Sequence, residues 1–199
     1  LSGFGKIDVT GPDAERFLNR IIANRAPRTE GGIVLSHILN HKGTIEAEIT
    51  VARIADNHYY LMFAAFSELR VRDWLNANRG DDDVSVTVVS KDYGCLVLSG
   101  PRSRDVLTQT TQASLDNNNW KWLKAKTITV AGVDNVRALR MSYQGELGWE
   151  LHVPMDGLLA VYDALWAAGE MHDIAAPFAM DRFHTGALID EAAAAAVAH

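Results

Sequence analysis

The residues in this chain best able to do chemistry are glutamates beside two glycine-bearing turns. Tyr143-Gln144-Gly145-Glu146-Leu147-Gly148-Trp149-Glu150 sets two glycines three apart and two glutamates four apart. Glu46 and Glu48 follow a second turn, His41-Lys42-Gly43-Thr44. A carboxylate in such a place can move a proton or steady a developing cation. It can also accept paired hydrogen bonds from a planar N–H/NH2 edge of the kind a guanidine-like heterocycle presents. Spacing alone leaves the bland readings open: a solvated hairpin tip for Glu146 and Glu150, and the polar face of a half-buried strand for Glu46 and Glu48. Other chemistries have less to stand on. The sequence holds no G-x-x-x-x-G-K, G-x-S-x-G, H-E-x-x-H or C-x-x-C. His37, His41, His58 and His152 are scattered, which disfavours a metal site.

Positioning these groups falls to short strands and helices. Val136–Ser142 and Trp149–Val153 read as two strands of a hairpin closed by the glycine-rich turn. Ile33–Asn40 and Ile45–Arg53 read the same way around Gly43, with Ile45, Ala47, Ile49 and Val51 on one face and Glu46, Glu48 and Thr50 on the other. A strand over Lys6–Thr10 meets Thr10-Gly11-Pro12-Asp13, which opens a helix with Phe17, Leu18, Ile21 and Ile22 along its apolar stripe. A further strand spans His58–Phe63. The helix over Phe66–Arg79 takes Leu69, Val71, Trp74 and Leu75 as inward residues and stops at Gly80. The acidic run Asp81–Asp83 is expected in a solvated loop. Ser99-Gly100-Pro101 repeats the strand–Gly-Pro–helix punctuation 89 positions after Gly11. The order of elements after it echoes the first half, ending in a helix over Met155–Met171. The expected fold class is therefore α+β: two successive units of antiparallel sheet with helices on one face, over 1–91 and 92–176, then a tail over 177–199.

Composition agrees with ordinary globular material: 199 residues, 48% hydrophobic, 22% charged, net charge −6. No basic cluster suggests nucleic acid, and no apolar run suggests a bilayer span. The single cysteine, Cys95, lies in an apolar run and reads as a small buried hydrophobe, with no disulfide available inside the chain.

The Tyr143–Glu150 run resembles the Y-T-G-E-x-G-x-E signature of the folate-dependent aminomethyltransferase family, the glycine-cleavage T-proteins. Leu39-Asn40-His41-Lys42-Gly43-Thr44-Ile45-Glu46-Ala47-Glu48-Ile49-Thr50-Val51 is similar to its L-N-x-x-G-G-I-x-x-D-x-x-V stretch, and Leu98-Ser99-Gly100-Pro101-Arg102 to its strand followed by G-P-[KR]. The opening Phe4–Pro12, with Phe17-Leu18-Asn19-Arg20, looks closest to the T-protein-like module of dimethylglycine and sarcosine dehydrogenases or oxidases. The resemblance runs from about Phe4 to His172.

This resemblance implies a tetrahydrofolate-binding fold, completed in the family by a C-terminal barrel that is not expected within these residues. It implies capture on tetrahydrofolate of a one-carbon unit from an N-methyl amine, oxidised to an iminium by a linked flavin domain or subunit. FAD would belong to that partner, and the compartment would be bacterial cytoplasm or mitochondrial matrix. Glu150 matches the glutamate that grips the pterin edge, with Tyr143 and Glu146 beside it as cofactor-binding residues. Glu48 matches the catalytic aspartate. Three departures bear on this: Glu48 is one methylene longer than that aspartate, Thr44 replaces the second glycine, and Ala47 replaces a frequent acid. They favour the dehydrogenase-linked branch. They also leave as alternatives a folate-binding or structural module without transfer activity, or a true glycine-cleavage aminomethyltransferase. Asp181-Arg182-Phe183 does not match the family's arginine-bearing segment, so no role is carried to Arg182.

Overall fold

A computed structural model of the chain describes residues 3–142 and 145–175, together with the backbone of Ala187–Leu188. The chain divides into two compact units, 3–90 and from Lys91 onward. The first runs β1 (Phe4–Thr10), α1 (Ala14–Ile21), β2 (Ile33–Leu39), β3 (Ile45–Ala55), β4 (His58–Ala64), a single 3-10 turn, α2 (Glu68–Ala77) and β5 (Ser85–Val88). Its sheet order is β2-β3-β4-β1-β5, antiparallel throughout. The second runs β6 (Tyr93–Ser99), α3 (Ser103–Thr108), β7 (Lys124–Val130), β8 (Val133–Arg140), β9 (Gly148–Pro154), a 3-10 turn, α4 (Leu158–Gly169), a last 3-10 turn, β10 (Ile174–Ala175) and β11 (Ala187–Leu188). Its sheet order is β10-β11-β6-β9-β8-β7, antiparallel except for β10 with β11.

Strand alternation builds each core. In the first unit Ile7 and Val9, then Ala47, Ile49 and Val51, then Tyr59, Leu61 and Phe63 gather with Phe17, Leu18 and Ile21 of α1 and Val71 and Leu75 of α2. In the second, Leu96, Leu98, Val136, Ala138, Trp149, Leu151 and Val153 meet Val106 and Leu107 of α3 and Leu158, Val161 and Leu165 of α4. One face of each sheet thus carries that unit's helices.

The first four strands of each unit take the same places in their sheets. Reading the sheets from β2 and from β7 gives the same neighbours, with β1 corresponding to β6 and β4 to β9. The strand-to-helix corner is the same in both. Gly11 has φ +126° and Gly100 φ +120°. Ala14 N–H donates to Gly11 O at 3.0 Å, and Ser103 N–H to Gly100 O at 3.0 Å. A Cβ on Gly11 would also lie 2.3 Å from Asp83 O.

Several expectations are corrected. Leu69 is 63% exposed, because Val71 and Leu75 sit one turn apart on the buried stripe and Leu69 lies about 200° round the helix from Val71. Ile45 is 61% exposed: β3 pairs with β4 only from Ile49 onward, so its first residues, paired with β2 alone, extend past β4. The acidic run is not all solvated. Asp82 is buried, with Arg16 and Arg20 each 2.6 Å from its carboxylate. Arg20 also donates to the carbonyls of Asn78 and Arg79, just past the C-terminus of α2. Among the described residues no helix is long and apolar enough to cross a membrane.

Gly11→Ala should cost about 2 kcal/mol or more, since strained φ and backbone overlap coincide. Gly43→Ala, with positive φ but open space around it, should cost about 1 kcal/mol. Urea denaturation of both variants checks the contrast.

Candidate functional site

β9 is zipped to β6 and β8, and its residues from Gly148 to Val153 are all buried, so its side chains alternate between two covered faces. Trp149, Leu151 and Val153 enter the helix-side core. Glu150 and His152 therefore share the opposite face, where Glu150 is 4% exposed and His152 fully buried. Gly148 lets β9 approach β6 closely, since a Cβ there would stand 2.9 Å from Leu98 O. That approach fixes which residues of β9 face which way.

The Glu150 carboxylate lies 3.5 Å from His152 Nε2, and this is the one ion pair it makes among the described residues. His152 Nε2 is also 3.8 Å from Cys95 Sγ, across the Cys95–His152 register pair. The ligand atoms of Cys95, Glu150 and His152 all lie within 4.8 Å of one another. Thiolate, imidazole and carboxylate are donors of the kind zinc accepts, and the same three groups also suit a hydrogen-bonded chain that holds the carboxylate. From the scattered histidines the sequence disfavours a metal site. The i, i+2 relation of Glu150 and His152 on one strand was visible in the sequence, but Cys95 enters only through pairing with a distant strand.

Glu146, Glu48 and Glu46 lie on other elements than β9. Gly145, at φ +79°, shapes the bend before β9, and Glu146 sits on it exposed. Tyr143 lies outside the described residues. Glu48 is on β3 opposite His37, its carboxylate 3.6 Å from His37 Nε2 and its side chain 61% exposed. Glu46 is committed elsewhere: Asn40 Nδ2 donates to it at 2.8 Å, Arg70 Nε at 2.6 Å, and Arg70 Nη2 closes a second contact. The Asn40 hydrogen bond, with Arg70 adding to it, holds the Glu46 carboxyl below its usual range. Asn40 is a residue the sequence reading passed over. Its side-chain oxygen accepts from Lys42 N at 2.9 Å and Thr44 N at 3.1 Å, tying down the turn that leads to Glu46 and Glu48. Its place at the start of the turn was the available signal.

A family model described as the GCVT N-terminal domain matches residues 1–185. Human mitochondrial dimethylglycine dehydrogenase is 36% identical over 176 residues, covering 87% of this chain and 20% of that protein. Human mitochondrial sarcosine dehydrogenase is 31% identical over 189 residues, with 87% and 20% covered. The chain thus spans about a fifth of the length of the curated relatives it matches. The crystal structure of glycine cleavage system aminomethyltransferase T from Bartonella henselae superposes with a TM-score of 0.71 at 23% identity, covering 82% of this chain and 43% of that one. That likeness carries the fold: α+β, with two antiparallel sheets and their helices.

Because its folded carboxyl pKa is lowered, Glu46 contributes stability that is present at neutral pH and lost as pH falls through that lowered value. In an NMR pH titration its midpoint should lie below that of an ordinary glutamate. It should move back up in Asn40→Ala, with a smaller acid-side loss of stability.

Proposed function

The chain belongs to the GCVT N-terminal domain family, and from that premise we propose that it is a tetrahydrofolate-binding module serving an N-methyl amine dehydrogenase or oxidase. The one-carbon unit would come from an N-methyl group oxidised to an iminium at a linked flavin domain. Tetrahydrofolate supplies the two nitrogens that take up the unit as methylenetetrahydrofolate. The similarity to dimethylglycine and sarcosine dehydrogenases supports this branch over a glycine-cleavage enzyme.

The observation that carries the reading is the state of Glu150. It is a carboxylate 4% exposed whose described contact is a single imidazole nitrogen at 3.5 Å. A buried carboxylate with acceptor capacity left over is costly unless donors arrive. A pterin edge offers a ring N–H beside an NH2, which two carboxylate oxygens can accept together. In this role His152 orients the carboxylate from behind, and the packed β9 backbone keeps it from swinging away. Glu48 would take the proton released when the folate amine bonds to carbon, and His37 beside it would help set its orientation. Tyr143 and Glu146, near Glu150 in the sequence, are proposed as further folate-binding residues.

A second reading, folate binding without transfer, is favoured by one observation: the Glu48 side chain is 61% exposed, with His37 as its ion-pair partner. A solvated carboxylate has an ordinary aqueous alternative to proton transfer with substrate.

Calorimetric titration with folinic acid tests the shared premise. Glu150→Ala should weaken binding by about 2 kcal/mol, roughly thirtyfold. Glu48→Gln separates the two readings with the flavin partner present. Under the transfer reading, folate affinity stays within about threefold of wild type while methylenetetrahydrofolate formation falls roughly a hundredfold. Unchanged product formation in Glu48→Gln would reject the role given to Glu48, and folate binding with no product formed by the wild type would select binding without transfer.

A further inference from the structure

The two units match closely enough that one can serve as the control for the other. In β3, Arg53 pairs across to Tyr59 of β4 and lies over its ring at 5.6 Å. In the second unit the β8–β9 register runs to Leu139 opposite Glu150, and one step further sets Arg140 beside Trp149. Arg140 lies over the Trp149 ring at 5.8 Å. Arg53 and Arg140 are thus equivalent residues on equivalent aromatic rings. The matched glycine corners likewise make Glu15 of α1 and Arg104 of α3 equivalent, four residues past Gly11 and Gly100.

Here the units part. Arg53 is neutralised from within the chain: Glu15 lies 3.3 Å away and Asp56 3.1 Å away. Where Glu15 stands in the first unit, the second has a second cation. Arg104 approaches the same Trp149 ring at 6.0 Å. The two guanidinium groups share one neutral acceptor, Asn117 Oδ1, at 2.8 Å from Arg104 Nη2 and 2.7 Å from Arg140 Nη2. Arg140 also donates to the carbonyl of Trp120. Nε of Arg104, Nε of Arg140 and Nε1 of Trp149 are buried with no hydrogen-bond partner. Arg53 Nε is in the same condition, so the difference between the units lies in charge, not in the number of bonds.

No carboxylate among the described residues pairs with either arginine. Asp105 is taken by Arg102 at 2.5 Å. Asp116 faces its own loop, accepting from Ser114, Asn118 and Asn119. Glu146 is exposed on the bend before β9. Arg140 is only 8% exposed, so water screens the repulsion poorly, and burial, with the neighbouring Arg104 adding to it, pushes its pKa down.

We propose that Arg104 and Arg140 form a binding site for an oxyanion, a carboxylate or a phosphate group, at the place Asn117 Oδ1 now occupies between the two guanidinium groups. Planar N–H forks match two oxygens of such a group, and charge-assisted bonds exceed those to a neutral amide. Asn117 itself is exposed, so the acceptor position opens to solvent. The donor set does not depend on Glu150 or on folate.

Thermal unfolding of the purified chain in about 20 mM phosphate, against chloride at matched ionic strength, reads the site. Wild type should gain about 2–4 °C in Tm. The Trp149 indole N–H resonance, identified by its loss in Trp149→Phe, should shift in the same titration. An acetate arm separates the sources: a larger response to acetate marks a carboxylate ligand, a larger response to phosphate a phosphorylated one. Arg104→Glu rebuilds the ion pair of the first unit. It should unfold at or above the wild-type temperature in phosphate and lose the anion response. Arg104→Gln should keep the fold and also lose the response. The site is overturned by a wild type that responds to neither anion beyond the chloride control, or by a response undiminished in both Arg104 variants. It is equally overturned by a response that appears only in Glu146→Gln, which would mean that the chain fills the position with its own carboxylate.

Discussion

The two-residue period of β9 is the constraint on which the rest depends. β9 is buried on both faces, so a one-residue slip would exchange Trp149, Leu151 and Val153 for Glu150 and His152 in the helix-side core. The cost of that exchange is several buried aromatic and aliphatic side chains against a buried charge. Pairing with β6 and β8 on either side, and the close pass of Gly148 by Leu98, fix the register. Packing therefore does the positioning: the apolar residues of β9 hold its acid where it is.

Duplication explains why the chemistry is lopsided. Matching Thr10–His58 with Ser99–Gly148 sets Lys6 against Cys95, Tyr60 against Glu150 and Met62 against His152. The core-facing positions remain apolar in both copies, as close packing demands. The opposite face is free to differ, and there the second copy gathers thiol, imidazole and carboxylate while the first has lysine, phenol and thioether. One scaffold used twice thus carries two different surfaces.

Much of this was legible in the sequence. The repeated Gly-Pro corners, the alternating strands and the two hairpins are local patterns, and each forms as the residues suggest. Errors arose where a distant element decides the outcome. Leu69 reads as inward until Val71 and Leu75 set the helix rotation. Asp82 reads as solvent-facing until α1 brings two arginines to it. The site divides in the same way. The i, i+2 pair Glu150 and His152 could be read from strand period, but Cys95 joins it through pairing across more than fifty positions. Asn40 was overlooked because its role lies in side-chain bonds to a turn, which periodicity does not report.

In each sheet the first strand to be made ends up beside the fourth, β1 against β4 and β6 against β9. During synthesis β1 must therefore wait roughly fifty residues for its neighbour, and while it waits its hydrogen-bonding edges are open. The shared order of those four strands means that β6 would also suit the place β1 takes in the first sheet. Divergence between the copies then has a use beyond chemistry. A lysine where the other has cysteine, and a glutamate where the other has tyrosine, would set a strand exchanged between the sheets among side chains of the wrong size and charge.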